Sequence, residues 1–336
     1  MSSLLDLLCV GAGLRVVLYH HLADRPCPFT DELRIATPPD VFESHLRYYA
    51  RNYDVVDLEA VLSGRLARKP LLVTFDDAYR SVLGTAGPML KQHRIPAVFF
   101  IASAVVQGSG LMLDNLLCYL SHEVGIGSVE SFITGAPATC GSLAELIGRV
   151  IAGLPYEARA GLGERLCRRF KVNQAQLAEA AQLYLKPDEV AQLADYGIEI
   201  GNHTASHVHG RILGEDDAVT EIVGAKRQLE LWSGRRVRAL SYPYGSPTDA
   251  TDLVNEAAIR SGHQALFLVG ARRNPIGHRG VLWYRTSLKG EPTGKLFRQI
   301  ELLPRVRSFC DLISGRDGLR GQGGRQRSGE DGRGNA

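Results

Sequence analysis

The feature that most restricts the fold of this chain is a series of short apolar runs separated by amphipathic segments. The runs cover residues 16–19, 71–75, 97–101, 198–200, 239–242, 265–269 and 283–285. Apolar or β-branched runs of this length are typical of buried parallel strands. The helical patterns between them, near residues 40–49, 58–63, 87–91, 216–232 and 251–260, indicate βα units. The sequence therefore predicts an α/β fold built on parallel strands.

The alternation is interrupted between Gln107 and Lys186, where Leu, Ala, Glu and Arg dominate with helical spacing over 113–120, 143–151 and 162–170. We expect residues 1–106 to form the first part of a barrel, 107–186 a helical insertion and 187–312 the second part. The insertion is expected to cover the site or to dock a partner; the alternative is that its helices only cover the outside of the barrel. Residues 313–336 are Gly/Arg-rich and are expected to be disordered, because they contain too few apolar residues to offset the cost of ordering.

Composition restricts the class of protein. A chain of 336 residues with net charge +3, much of it in the tail, shows no nucleic-acid footprint over its folded part. The six cysteines contain no C-x-x-C pair, which favours a reducing compartment. The first residues are a poor signal peptide, and no apolar run is long enough to span a bilayer. We therefore expect a cytoplasmic protein, with peripheral membrane association and oligomeric state left open.

Two adjacent carboxylates, Asp76 and Asp77, follow the strand predicted over residues 71–75. Residues at the carboxyl ends of parallel strands meet at one rim of a sheet or barrel, where chemistry is usually placed. The alternative is that the pair only begins a turn or caps the next helix.

Two histidines four residues apart, His203 and His207, follow another predicted strand. One carboxylate and two imidazoles form the three-ligand set of a catalytic zinc site, which keeps a coordination position open for water. A second carboxylate is not needed by a structural metal, so Asp76 is a candidate general base beside the ligands.

A third motif, Tyr-Pro-Tyr-Gly over residues 242–245, completes an ordered set with Thr-Phe-Asp-Asp (74–77) and His-Thr-Ala-Ser-His (203–207). This set resembles the polysaccharide deacetylase family, the NodB-homology or carbohydrate esterase 4 group, from about residue 16 to residue 286. The resemblance implies a distorted (β/α)7-type barrel and a divalent metal ion, with Zn²⁺ as the first choice.

The resemblance also implies roles for individual residues. Asp76, the first acid of the pair, would be the base, while Asp77, His203 and His207 would hold the metal. Tyr244 lies where the family uses a backbone N–H in the oxyanion hole.

The sequence departs from the family pattern at two functional positions. Ser241 stands where many members have an arginine that orients the base. We expect Arg285 to replace this arginine and, together with Tyr244, to belong to the residues that bind the substrate and the oxyanion. The alternative is that Arg285 forms only a surface salt bridge.

The second departure concerns the acid. The Leu-x-His motif that normally supplies it near the C-terminus is missing, but residues 18–20 have the same form at the N-terminus. Because the first and last strands of a closed barrel are neighbours, His20 is expected to be the catalytic acid. The alternative is a buried structural histidine.

We therefore expect a metal-dependent hydrolase that removes acetyl groups from N-acetylated sugars of a polysaccharide, glycan or glycan precursor. One alternative is a carbohydrate O-acetyl esterase, and another is a catalytically silent glycan-binding protein on the same fold. A silent protein has no need of Asp76. The sequence does not specify the sugar or the linkage.

Overall fold

The centre of the molecule is a closed barrel of seven parallel strands. The computed structural model describes residues 13–275, 277–278 and 280–313. In these residues the strands are β1 (Arg15–Tyr19), β2 (His21–Leu22), β3 (Ala36–Thr37), β4 (Asp54–Val55), β5 (Pro70–Phe75), β6 (Ala97–Ile101), β7 (Ile198–Asn202), β8 (Ala239–Ser241), β9 (Ala265–Val269) and β10 (Leu282–Ser287). The order β1-β10-β9-β8-β7-β6-β5 is closed by pairing of β1 with β5, and β4 adds to the start of β5. The predicted (β/α)7-type barrel is confirmed.

The register of the strands brings their carboxyl ends together. Tyr19 of β1 pairs with Phe75 of β5, and Ile101 of β6 pairs with Asn202 of β7. Since all these pairings are parallel, the residues that follow each strand leave the barrel at the same end.

Alternation along the strands decides which side chains enter the barrel. One buried cluster contains the inward-facing residues Val16, Leu72, Val98, Phe100, Ala239, Ala265, Phe267 and Trp283. Continuing the same alternation by two or four residues places Asp76, Ser241 and Arg285 inside the barrel above this cluster. The guanidinium of Arg285 lies 5.2 Å from the ring centre of Phe100, in agreement with this placement.

Helices surround the barrel. They are α1 (Pro39–Asn52), α2 (Leu58–Leu62), α3 (Gly87–His93), α4 (Ser103–Val106), α5 (Leu113–Val124), α6 (Ile126–Thr134), α7 (Leu143–Glu145), α8 (Tyr156–Ala160), α9 (Leu162–Phe170), α10 (Gln174–Ala180), α11 (Pro187–Val190), α12 (Glu215–Ala218), α13 (Ala225–Ser233), α14 (Asp252–Arg260) and α15 (Leu303–Ile313). The helix expected over 216–232 includes a π-helical segment, Val219–Gly224, between α12 and α13. No helix in the described part of the chain combines the length and the apolar character that crossing a bilayer would require.

The segment expected to be an insertion shares a hydrophobic core with the barrel. Leu116 and Leu117 of α5 belong to the same buried cluster as Phe75, the last residue of β5, and Tyr79, which follows that strand. Asn115 donates hydrogen bonds to the hydroxyl of Tyr79 at 2.8 Å and to the carbonyl of Phe29 at 2.9 Å. The helices of this segment are therefore joined to the barrel by both apolar packing and buried hydrogen bonds. The expected domain boundaries stay a prediction, and the expected tail beyond Ile313 lies outside the described residues.

This shared core predicts that the segment and the barrel unfold together. Leu116 is fully buried, so Leu116→Ala should lower the free energy of unfolding of the whole protein by about 2–5 kcal/mol. Leu231→Ala is the control, because Leu231 is 75% exposed and its loss should change stability by less than about 0.5 kcal/mol. Urea unfolding followed by circular dichroism measures both. A separate early transition in Leu116→Ala, with the main transition unmoved, would contradict the prediction.

Candidate active site

The polar residues singled out in the sequence meet at the carboxyl end of the barrel. Asp76 and Asp77 directly follow β5, and His203 directly follows β7. Strand-like hydrogen bonds continue for one residue past each strand. The N–H of Asp76 donates to the carbonyl of Tyr19 at 3.0 Å, and the N–H of His203 donates to the carbonyl of Ile101 at 3.1 Å. The first site residues are therefore held by the sheet itself.

Three side chains at this end offer one set of metal-ligand atoms. Asp77, His203 and His207 each contribute one atom, and these atoms lie within 4.8 Å of one another. Oδ1 of Asp77 is 3.6 Å from Nε2 of His203 and 3.4 Å from Nε2 of His207. All three residues are buried. An oxygen and two imidazole nitrogens at this spacing fit a divalent cation.

Hydrogen bonding assigns the tautomer of His203. Its Nδ1 is 2.8 Å from the backbone carbonyl of Ser241, which accepts and never donates. Nδ1 therefore carries a proton, and Nε2 is the ring nitrogen that lies toward Asp77 and is left to act as a ligand.

Asp76 is held by a buried arginine. Nη1 and Nη2 of Arg285 donate to Oδ1 and Oδ2 of Asp76 at 2.6 and 2.7 Å, and Nη2 also donates to Oγ of Ser241. The side chain of Arg285 is fully buried. The alternative of a surface salt bridge is therefore wrong. Arg285 therefore lies directly against Asp76, the candidate base. Ser241, at the position where the family pattern has an arginine, contacts both side chains.

The two neighbouring carboxylates have different partners. Burial raises the pKa of Asp76, but the charge and hydrogen bonds of Arg285, together with the charges of His203 and His20, outweigh it and the pKa falls below its ordinary value. Burial likewise raises the pKa of Asp77, and the contact with His203 together with the charges of His20 and His207 brings that pKa well below its ordinary value. Both carboxyl groups are therefore ionised near neutral pH.

Several site residues have left-handed backbone conformations. The φ angles of Asp77, Thr204, His207 and Tyr244 are 80°, 63°, 56° and 62°. This conformation costs of order 1–3 kcal/mol for residues other than glycine and is concentrated at functional sites. At Asp77 and His207 the positive φ bends the backbone, and the ligand atoms of both side chains lie close to that of His203.

The Tyr-Pro-Tyr-Gly turn packs against this cluster. The ring of Tyr244 lies 4.9 Å from that of His207 and is stacked on that of His209 at 3.8 Å. Gly245 has φ 67°, and a Cβ on it would lie 2.5 Å from the backbone nitrogen of Val269. Only glycine fits this approach, so the backbone requires Gly245 in this turn.

His20 lies at the same end of the barrel, directly after β1 and beside β5. Burial lowers its pKa below the ordinary value, while the charges of Asp77 and Asp76 act in the opposite direction. Its position is compatible with the expected role, which stays a prediction.

Two residues that the sequence analysis did not single out also reach the site. Asp114 of α5 and Arg159 of α8 are buried, and both hydrogen-bond to the hydroxyl of Tyr244. The sequence pattern could have indicated Asp114. This residue lies on the same face of its helix as Leu117 and Cys118, which are buried, so a charged residue occupies a position that faces the core.

Comparisons with known proteins agree with this geometry. The sequence matches the profile described as polysaccharide deacetylase over residues 63–265. The fold is similar to that of the deacetylase PplD from Streptococcus pyogenes, solved in complex with acetate, with a TM-score of 0.57 and 15% identity over 87% of this chain and 100% of that one. A de-N-acetylase from Aggregatibacter actinomycetemcomitans has a TM-score of 0.52 and 16% identity, over 85% of this chain and 98% of that one. IcaB from Ammonifex degensii has a TM-score of 0.51 and 19% identity, over 88% of this chain and 98% of that one. No curated protein matches the sequence.

These structural similarities, at such low identity, show the fold alone. The profile match carries more, because it spans more than half of the chain and includes the Asp76–Asp77 pair, both histidines and the Tyr-Pro-Tyr-Gly turn. The resemblance found in the sequence is thereby confirmed, and the chain belongs to the polysaccharide deacetylase family.

Proposed function

We propose that this protein is a metal-dependent hydrolase that removes acetyl groups from N-acetylated sugars of a polysaccharide, glycan or glycan precursor. The observation that carries the proposal is the convergence of three metal-ligand atoms beside a second, separately held carboxylate. Family membership supports the hydrolysis of an acetyl group.

The ligand set supports a divalent cation, and Zn²⁺ is our first choice. Asp77, His203 and His207 would hold it through one oxygen and two nitrogens, which leaves a coordination position for water. Such an ion lowers the pKa of bound water and polarises a carbonyl group. A purely structural ion would be expected to have four protein ligands and no neighbouring base.

The remaining chemistry is assigned to residues of this chain. Asp76, kept ionised by Arg285, accepts the proton of the attacking water as its oxygen adds to the acetyl carbon. The backbone N–H of Tyr244 donates to the developing oxyanion. When the carbon–nitrogen bond breaks, His20 donates a proton to the departing nitrogen, and the products are acetate and a free amine.

Acetate release tests the proposal directly. Purified protein loaded with Zn²⁺ should release acetate from N-acetylated hexosamine oligomers and lose that activity after treatment with a chelator. Release only from O-acetylated sugars would favour the esterase alternative. Sugar binding without any acetate release would favour the silent glycan-binding protein.

Asp76→Asn separates the base from the metal ligands. The substitution keeps the size of the side chain but removes proton acceptance, so the rate should fall by roughly two to four orders of magnitude while metal content is retained. His207→Ala is the contrasting variant, and it should lose both the metal and the activity. Both quantities are measured by elemental analysis and acetate release. Loss of metal in Asp76→Asn would show that the roles of Asp76 and Asp77 are exchanged.

Arg285→Gln should change the pH dependence of the reaction. Without the guanidinium, the largest of the influences that oppose burial is lost and the pKa of Asp76 rises, so the acid limb of kcat/KM should move to higher pH. The unpaired buried carboxylate should also lower the free energy of unfolding by about 3–5 kcal/mol. Arg285→Lys keeps a charge without the two-pronged contact and should move the limb less. An unchanged limb in Arg285→Gln would contradict the assigned role.

His20→Ala tests proton donation to the leaving group. An amine leaves poorly unless it is protonated, whereas an aryl oxide leaves readily without help. Hydrolysis of an N-acetyl sugar should therefore fall by roughly 100-fold or more, while hydrolysis of an activated aryl acetate should change little. Equal losses on both substrates would show that His20 is structural or a neighbour of the metal.

A further inference from the structure

The segment between residues 107 and 186 places a carboxylate against one of the candidate metal ligands. Oδ2 of Asp114, in the first turn of α5, lies 3.3 Å from Nδ1 of His207. On the other side of the same ring, Nε2 lies 3.4 Å from Oδ1 of Asp77. The imidazole of His207 therefore stands between two carboxylates, one in the ligand cluster and one from α5.

Nδ1 of His207 is the atom that needs this partner. It is buried and, among the described residues, has no acceptor aligned as a hydrogen bond. Buried donors are rarely left unpaired, and hydrogen bonds in unloaded sites are often poorly aligned until the site is filled. Asp114 Oδ2 is already at hydrogen-bonding distance, so a small turn of the ring aligns the two.

The carboxylate of Asp114 is itself held from two sides. The hydroxyl of Tyr244 donates to it at 2.8 and 3.0 Å. The same hydroxyl accepts from Nη2 of Arg159 at 2.6 Å, and Nη2 also donates to the backbone carbonyl of His207 at 3.0 Å. Arg159 supplies a positive charge 4.0 Å from Asp114. These contacts fix the carboxylate where Nδ1 of His207 can donate to it.

The two candidate ligand histidines differ in what orients them. The barrel supplies the acceptor for Nδ1 of His203, the backbone carbonyl of Ser241 at 2.8 Å. The acceptor within reach of Nδ1 of His207 is the carboxylate of Asp114, which belongs to α5 and not to a barrel strand. Carboxylate acceptors raise the basicity of a ligand imidazole and fix the tautomer that leaves the other nitrogen free.

We infer that Asp114 is a positioning residue for His207, and that the 107–186 segment thereby completes the metal site. This inference rests on the proposed function, since it concerns affinity for the proposed metal. It gives the segment a defined part in the site: Asp114 accepts the Nδ1 proton, and Nε2 is left as the ligand atom. Arg159 and Tyr244 hold Asp114 in place.

The test is the affinity of the zinc-free protein for Zn²⁺, measured by competition with a chromophoric chelator. Asp114→Ala removes the acceptor and should weaken binding about 10- to 100-fold. Asp114→Asn keeps an acceptor oxygen without the charge and should weaken binding less than Asp114→Ala. Glu130→Gln is the matched control: Glu130 is a buried acid of the same segment that accepts from the backbone N–H groups of Thr139 and Cys140, away from the site. It should lower stability and leave the affinity unchanged.

A second readout does not depend on the metal. Nitrogen-15 NMR of the histidine side chains in the zinc-free protein, recorded at a pH where His207 is neutral, should show the His207 proton on Nδ1, and a mixture of tautomers in Asp114→Ala. Unchanged affinity and tautomer in Asp114→Ala would overturn the inference and leave the proposed function standing. If Asp114→Ala does not fold, unchanged affinity in Asp114→Asn overturns it. A wild-type protein that binds no divalent ion would overturn the proposed function, and the inference with it.

Discussion

The site depends on the buried ion pair between Asp76 and Arg285. Removing two charges from water costs several kcal/mol for each ion, and only close, two-pronged geometry of the kind seen here recovers that cost. The pair lies inside the barrel and links β5 to β10 across β1, while Ser241 joins it from β8. Because Arg285 occupies both oxygens of Asp76, that carboxylate has a fixed orientation before any ligand arrives.

Fixing Asp76 also separates it from its neighbour. If the strand alternation continued past β5, the side chain of Asp77 would point to the face opposite that of Asp76. The positive φ of Asp77 instead accompanies a side chain that lies beside His203 and His207. One carboxylate is thus paired with a guanidinium, and the other lies against two imidazoles. Different partners for two acids are a general way of giving them different chemical roles.

The segment between residues 107 and 186 contributes to the core and to the site at once. Its helix α5 buries Leu116 and Leu117 against the elements around the barrel, and the same helix carries Asp114 to His207. A shift of α5 would therefore move the carboxylate together with the packing.

The sequence by itself determined the positions of the main strands and the end of the sheet where Asp76, Asp77, His203 and His207 meet. These follow from local rules: strands are short apolar runs, and parallel strands deliver the residues after them to one rim. The closed barrel was expected from the family resemblance of the motifs, and the pairing of β1 with β5 closes it. The tertiary structure decided that Arg285 is buried against Asp76, 209 residues away, and that Asp114 and Arg159 join the site. Periodicity shows that a side chain faces a core but not which group it meets there, because that contact depends on how distant segments pack in space.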